Sequence, residues 1–524
     1  MPTPAQQAEL QQERAAFRQT LPSDVETLWA QYPGRIAVVL SGGGARGAFE
    51  AGVLLAFQDA KMPTHILAAT SVGSINAASF AAHSQTNVGN AESLVKSSSD
   101  LSPPAVGIDW FRYILILGGL TAMTAGFGNL LREWMNEGDV FIHLTSPKLT
   151  WFALGVTGLA FILFHDHASY LAWAILNWKR NRDWRPDRTK LIKSLLGNLF
   201  GWTCFGFVLG VSHIHLAARE IFYIDSFTGY MIAAAMVLML ALGFFFRALI
   251  SRYSQRFLRL PLRTGLFPNF ERTRYLRERI PTARLQHSPI RLVMTAADVV
   301  SGSEQCFTNT PVHELLRDSG VEPSFVMQEL RTVDDMMMAV IASSAFPIVY
   351  ETVPLDGGVW TDGGIVSNQP IRPAIRLGAD MLFLVLVEPR SQKGREIATF
   401  LDLGVRAIDI LMSQNLKTDL RILSNVNALC GHFAAELGLR PEQVELDVGT
   451  RKYRYLKAIT VEPSAPMAAT VLDFDGDITF PAITLGYRDG MRAVHEFADY
   501  VRELPQGMER QRVKLEASRV RSSA

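Results

Sequence analysis

Cysteine is scarce: Cys204, Cys306 and Cys430 are the only three in 524 residues. They are far apart and odd in number, so they form neither a disulfide framework nor a cluster at metal-ligand spacing. A reducing compartment is therefore expected, with no metal site. Charge is thin as well. Fifty-one Lys and Arg oppose 50 Asp and Glu, leaving +1, and no global field exists to steer a polyanion, which argues against nucleic acid as a partner. The chain also lacks internal repeats and low-complexity tracts. Residues 1–34 contain no apolar run, which excludes a cleavable signal peptide there; rich in Gln, Ala, Glu and Arg, they read as an N-terminal helical segment. What is abundant is apolar surface, at 48% of residues with only 19% charged. Disorder is excluded, and a mean hydropathy of +0.13 leaves a large core or membrane spans as its source.

The first apolar run, Ile36-Ala-Val-Val-Leu40, is short and β-branched and enters Ser41-Gly-Gly-Gly-Ala-Arg-Gly47, which predicts a buried strand meeting a tight loop. Residues 48–60 read as helix, 65–69 as a second strand, and the small residues through Ala82 as a helix packed closely on a sheet. This alternation predicts an α/β fold with parallel strands. A polar, Ser/Pro-rich linker is expected over 92–107. Strand candidates resume at 290–296, 351–355 and 381–387, with helices over 333–343 and 400–435. A β-rich piece at 455–461, a helix over 486–502 and a frayed tail over 508–524 complete the chain.

Four long apolar stretches lie between these halves, at 113–131, 149–164, 195–218 and 230–246, each near the length that crosses a bilayer. His165-Asp-His167 interrupts the second. The intervening loops alternate in charge: 177–193 is strongly basic, as is the segment after 246, whereas 132–148 and 219–228 carry acidic residues. The alternation satisfies the positive-inside tendency, and an even number of crossings returns the chain to the side it left. The competing reading is a set of core helices. The expectation is a multi-pass protein of a bacterial cytoplasmic membrane, with the α/β domain on the cytoplasmic side.

Two loops could carry chemistry. Ala69-Thr-Ser71-Val-Gly73 lies where a strand gives way to a small-residue helix, the setting of a nucleophile elbow, although a helix N-cap would also explain Ser71. The glycine loop lacks the Gly-Lys-Ser/Thr of a phosphate-binding P-loop. Gly42, Gly44 and Gly47 match G-x-G-x-x-G, yet no acidic residue closes the following strand as a dinucleotide site would need. An oxyanion hole is the third reading. Two candidates for a base, Asp356-Gly-Gly and Asp362-Gly-Gly, lie close together, and only the second continues as Ile-Val-Ser-Asn368-Gln-Pro370. His432 and His495 follow in the order of a Ser-Asp-His triad, but both lie in helix-like segments that suit surface or packing roles. His165 and His167 read as interfacial residues at a helix end.

The glycine loop with Arg46, the Thr-Ser-Val-Gly elbow, Ala342-Ser-Ser-Ala-Phe-Pro347 and Asp362-Gly-Gly-x-x-x-Asn-x-Pro, in that order, resemble the patatin-like phospholipase family, in a bacterial-type form with a transmembrane insertion. The resemblance covers about 36–105 and 291–387. It implies a patatin-like three-layer αβα sandwich with a mostly parallel central sheet, interrupted by a helical insertion. It further implies a catalytic dyad in which Ser71 attacks an ester carbonyl and Asp362 accepts its proton, without histidine or cofactor. Gly43 and Gly44 would supply oxyanion amides, and Gly42 and Gly47 would shape the loop. Arg46 is either one half of a helix-surface ion pair or a group holding the loop or a lipid phosphate. Gly363, Gly364, Asn368 and Pro370 would fix the aspartate's loop, and Asp356 becomes a turn residue. Ala69 departs from the family's usual glycine, and Gly73 keeps the elbow small.

The predicted organisation is the helical segment 1–34, a first catalytic part 35–105, an insertion of about four helices 106–260, a second catalytic part 261–400, and a C-terminal α/β extension with tail 401–524. The predicted function is hydrolysis of a lipid acyl ester, of phospholipase A or lysophospholipase type, with a bilayer phospholipid or lysophospholipid as partner. Two competitors are a catalytically silent membrane scaffold that binds lipid and a transporter with a regulatory domain, for which the stretches offer few intramembrane charges.

Overall fold

The computed structural model describes residues 2–22, 25–101, 110–137, 151–152, 154–159, 265–267, 269–311, 327–388, 400–448, 451–469, 471, 473–504 and 511–515, with single positions at 175, 192 and 195. The chain divides into two compact units. One joins Met1–Gly107 to Thr264–Ala524, and the other is Ile108–Arg263.

The strands described in the first unit, in chain order, are β1 (Ile36–Leu40), β2 (Ile66–Thr70), β3 (Gly265–Phe267), β4 (Arg291–Asp298), β5 (Glu304–Thr308), β6 (Met327–Glu329), β7 (Ile348–Tyr350), β8 (Val353–Leu355), β9 (Gly358–Asp362), β10 (Met381–Val385), β11 (Val444–Val448), β12 (Arg451–Arg454), β13 (Lys457–Val461) and β14 (Gln511–Leu515); β3 and β7 form a separate pair, and β12, β11 and β14 a separate three-stranded sheet. Nine of them form the main sheet in the order β13-β10-β1-β2-β4-β5-β6, with β9 also pairing β4 and β8 pairing β9. From β13 to β4 every pairing is parallel. β1, β2 and β10 are buried at every position, because a parallel sheet is covered on both faces and its strands have no solvent side.

Alternate side chains divide the core. Ala37, Val39, Ile66, Ala68, Leu382 and Leu384 meet Ile371, Ala374 and Leu423 from the Ile371–Arg376 and Phe400–Leu437 helices. On the other face Phe383 makes edge contacts with Phe57 at 5.0 Å and Phe497 at 5.4 Å, from the Ala48–Asp59 and Gly476–Glu503 helices. The result is helices on both faces of a mostly parallel sheet.

The N-terminal helix, Pro4–Thr20, begins with a capping box between Thr3 and Gln6 and Pro at its first turn, which satisfies otherwise unpaired amides. Its buried Arg14 holds Asp59 at 2.7 Å and Glu92 at 2.6 Å, and the Tyr487 hydroxyl donates to Asp59 at 2.9 Å. Arg18 also reaches Asp59 at 2.9 Å, but from a largely exposed position, so removing Arg14 leaves the buried carboxylate only that cation and the Tyr487 hydroxyl. Arg14→Ala is expected to cost about 3 kcal/mol, read as a lower denaturation midpoint with reagent access to Ser71 unchanged.

Among the described residues no helix is long and apolar enough to cross a membrane, which overturns the multi-pass localisation. The first apolar stretch belongs to the Trp110–Glu137 helix of the second unit, whose apolar residues are diluted by Gly118, Gly119, Thr121, Thr124, Gly126, Gly128 and Asn129. Thr121 and Thr124 return their hydroxyls to the carbonyls of Leu117 and Leu120. Of the other three stretches, half of 149–164 is described, as helix at 151–152 and 154–159, while 195–218 apart from its first residue, 230–246, His165 and His167 lie outside the described residues.

The expected linker begins instead with a helix, Glu92–Ser99, that buries Leu94 and Ser98. The expected frayed tail contains β14, which runs parallel to β11 and sends Val513 into a small apolar cluster. β13 and the Gly476–Glu503 helix, read from sequence as part of an extension, complete the main sheet and one of its covering layers.

Candidate active site

Ser71 follows β2 directly and starts the Val72–Ala82 helix in a left-handed conformation, φ 56°. A side chain other than glycine rarely adopts that conformation, and here it turns the chain sharply from strand to helix. The turn presses the helix against β1: a Cβ at Gly73 would lie 2.8 Å from the Leu40 carbonyl oxygen. Ala69, two residues back, is buried within β2 opposite Leu40 and Met294, where a methyl group is ordinary packing. The Ser71 side chain does not cap the helix, so the capping explanation of this serine fails.

Asp362 ends β9, opposite Ala296 of β4. Its Oδ2 accepts a hydrogen bond from Ser71 Oγ at 2.5 Å, and its Oδ1 accepts the Gly364 amide at 2.8 Å. The aspartate is 0% exposed and the serine 5%. Burial pushes the carboxyl up from 3.8 to about 6, against the lowering effects of Ser71, the Gly364 amide and Arg272, because desolvation penalises the charged form. A carboxylate with a raised affinity for protons, bonded to a hydroxyl, can act as that hydroxyl's base.

One segment holds both groups. Ser343 accepts the Ser71 amide through its carbonyl at 3.1 Å and its hydroxyl at 3.2 Å, and its hydroxyl donates to the Thr295 carbonyl at 2.6 Å. Two residues on, the Ala345 carbonyl accepts the Asp362 amide at 3.0 Å and the Thr361 hydroxyl at 2.8 Å.

The glycine loop lies beside Ser71. The Asn368 side-chain oxygen takes the Gly42 amide at 2.9 Å, and Val471 O takes the Ala45 amide at 2.9 Å. The amides of Gly43 and Gly44 find no acceptor among the described residues, which leaves two donors for an oxyanion. Gly44 has φ 59°, and a Cβ there would sit 2.1 Å from the Val471 carbonyl oxygen, so only glycine is unstrained. Asn76 bridges Gly47 O at 2.9 Å and Glu50 at 2.8 Å. Glu50 is fully buried, and desolvation raises its carboxyl well above the usual range.

Arg46 is buried and bonds Glu388 and the Ala469 carbonyl, so of its two readings the surface ion pair is replaced by a tie between the glycine loop and the chain after β10. Pro370 precedes the Ile371–Arg376 helix. Asp356, with φ 47°, occupies the turn between β8 and β9 and bonds Gln328, away from Ser71. Neither histidine joins the site. His432 is exposed beside Glu436, and His495 lies against Phe17 and Thr20.

A cavity of about 370 Å³ opens over Ser71 and the glycine loop. Its walls are largely apolar, including Ile75, Leu94, Leu101, Leu276, Leu420 and Phe474, with Arg272 also lining it. The Glu92–Ser99 and Asn269–Arg277 helices therefore build the chamber, and neither signalled that role in sequence. No group of carboxylates, histidines and cysteines among the described residues could hold a metal ion.

The model of the patatin-like phospholipase family matches residues 38–375. No curated protein matches the sequence. Among solved structures, the crystal structure of VipD from Legionella pneumophila is similar at 13% identity, covering 89% of this chain and 67% of that one with a TM-score of 0.31. A likeness that loose carries no argument about this chain.

Proposed function

The chain belongs to the patatin-like phospholipase family, and on that premise we propose that Ser71 and Asp362 are a two-residue dyad that cleaves the acyl ester of a phospholipid or lysophospholipid. Membership itself supports lipid acyl hydrolase activity and implies lipid substrates. The observation that carries the finer reading is the hydrogen bond from Ser71 Oγ to Asp362 in the floor of an apolar chamber.

In this reading the acyl chain lies along the apolar wall and its carbonyl carbon meets Ser71 Oγ. Asp362 takes the hydroxyl proton as the new C–O bond forms. The carbonyl oxygen becomes an oxyanion facing the Gly43 and Gly44 amides. Collapse of the tetrahedral species breaks the ester bond, and the departing alcohol leaves with the proton from Asp362. Water then attacks the acyl-serine by the same steps in reverse roles, giving the fatty acid and free Ser71. The dyad needs no imidazole because the proton travels directly between hydroxyl and carboxylate.

The test is covalent labelling by a fluorophosphonate, together with fatty-acid release from phospholipid and lysophospholipid vesicles. Labelling in the wild type that vanishes in Ser71→Ala, with release falling at least about 10³-fold, supports the dyad. A wild type that resists the reagent under every lipid condition would leave the chain as a lipid-binding scaffold.

A further inference from the structure

The geometry points to Arg272 as a positioning residue of the dyad, one that fixes the Ser343–Ala345 segment gripping both Ser71 and Asp362. The inference rests on reading Ser71 and Asp362 as the dyad. Arg272 comes from the Asn269–Arg277 helix and is 3% exposed. Its Nη1 donates to the Ser344 carbonyl and, at 3.3 Å, to the Ser344 hydroxyl. Nη2 donates to the Ile341 carbonyl at 3.0 Å and to Asn269 Oδ1 at 2.7 Å. Ile341 and Ser344 lie at the C-terminal end of the Val333–Ser343 helix, where carbonyls lack helical partners and a cation is favoured.

The fork therefore stops the helix in one place, and the residues it stops are those that grip the dyad. Ser343 holds the Ser71 amide, and Ala345 holds the Asp362 amide. A small rotation of this segment would pull Ser71 Oγ and Asp362 apart, and proton transfer depends steeply on that separation.

The charge has a second consequence. Arg272 stacks 4.1 Å from the centre of the Tyr350 ring, and its other contacts are neutral carbonyls, a hydroxyl and an amide. Among the titratable groups nearby, Tyr350 is held neutral by burial that pushes it up to about 12, Glu351 accepts the Asn269 amide, Glu271 pairs with Arg274, and Tyr275 and Arg279 share the cavity wall with Arg272. Burial lowers Arg272 to about 10, so it stays charged at neutral pH. Arg272 is the charged residue whose field lowers Asp362 toward its ionised form. Without it the base would hold its proton to higher pH.

The experiment follows the carboxyl of Asp362 by infrared difference titration of the full chain, with Asp362→Asn as the subtraction, alongside the pH profile of kcat/KM. In R272Q the titration should move up by about half to one pH unit, and the acid limb of the profile should move with it. R272K keeps the charge but not the two-pronged fork. Its titration should stay with the wild type while kcat falls about 5- to 30-fold. An R272Q titration that coincides with the wild type overturns the inference, as does an R272K titration displaced as far as that of R272Q. If R272Q does not fold, R272K decides alone: lower kcat with an unmoved titration supports the assignment, and unchanged kcat or a displaced titration refutes it. The carboxyl titrates whether or not the protein turns over lipid, so loss of the dyad reading and loss of this one are separate results.

Discussion

Asp362→Asn is expected to lower acyl hydrolysis by about 10⁴-fold while making the folded protein more stable at pH 7.5. Both effects come from one buried carboxyl. Asparagine can keep the Gly364 amide on its oxygen, but its nitrogen points a donor at Ser71 Oγ, and an amide cannot accept the hydroxyl proton. The nucleophile is then held and left unactivated.

The stability gain follows from the direction of the shift. Asp362 is pushed up from 3.8 to about 6 by burial, so the folded state binds this proton more tightly than the unfolded chain does. Between about pH 4 and 6 stability falls as pH rises, and above about 6 the folded protein carries the full cost of the buried charge, on the order of 3 kcal/mol. The variant removes that cost. Chemical denaturation should show the gain at pH 7.5 and its disappearance near pH 4. A variant no more stable than the wild type at pH 7.5 would mean that the surrounding dipoles already compensate the charge.

The second large effect is expected at Gly44. Gly44→Ala should lower kcat by about 10² to 10³ with little change in KM, because the new methyl lies against Val471 O in a backbone region that L-residues avoid. The loop must shift to relieve the clash, and the amides shift with it. An oxyanion donor acts on the transition state rather than on bound lipid, which separates kcat from KM. Equal losses in the two parameters would show instead that the loop shapes substrate binding.

That Ser71 and Asp362 would meet was legible in sequence because each sits in a short local pattern: a strand ending in Thr-Ser-Val-Gly, and Asp-Gly-Gly leading to Asn-Gln-Pro. Arg272 was not legible. In Asn-Phe-Glu-Arg-Thr-Arg-Tyr-Leu-Arg nothing distinguishes it from Arg274 or Arg277, and its role appears only when the end of a distant helix meets it. The Glu92–Ser99 helix was missed because four serines weaken the apolar pattern to two inward residues, Leu94 and Ser98. Hydropathy misled in the other direction at 113–131. The helix that contains it, Trp110–Glu137, also takes in the charged ends Arg112, Arg132, Glu133 and Glu137, and no described helix is long and apolar enough to cross a membrane.

The clasp between Ser71 and Asp362 joins positions 291 residues apart in the chain, and β2 cannot pair with β4 until the whole second unit has been synthesised between them. Closing so long a loop adds only a few kcal/mol of entropy beyond a short one, but it imposes an order of events. A nascent chain carries Ser71 early and Asp362 late, with the fully buried β1 and β2 lacking their later neighbours in the interval. Under the proposed reading the protein is therefore born with its dyad unassembled, and the same interval is when its apolar strands most need shielding by a chaperone.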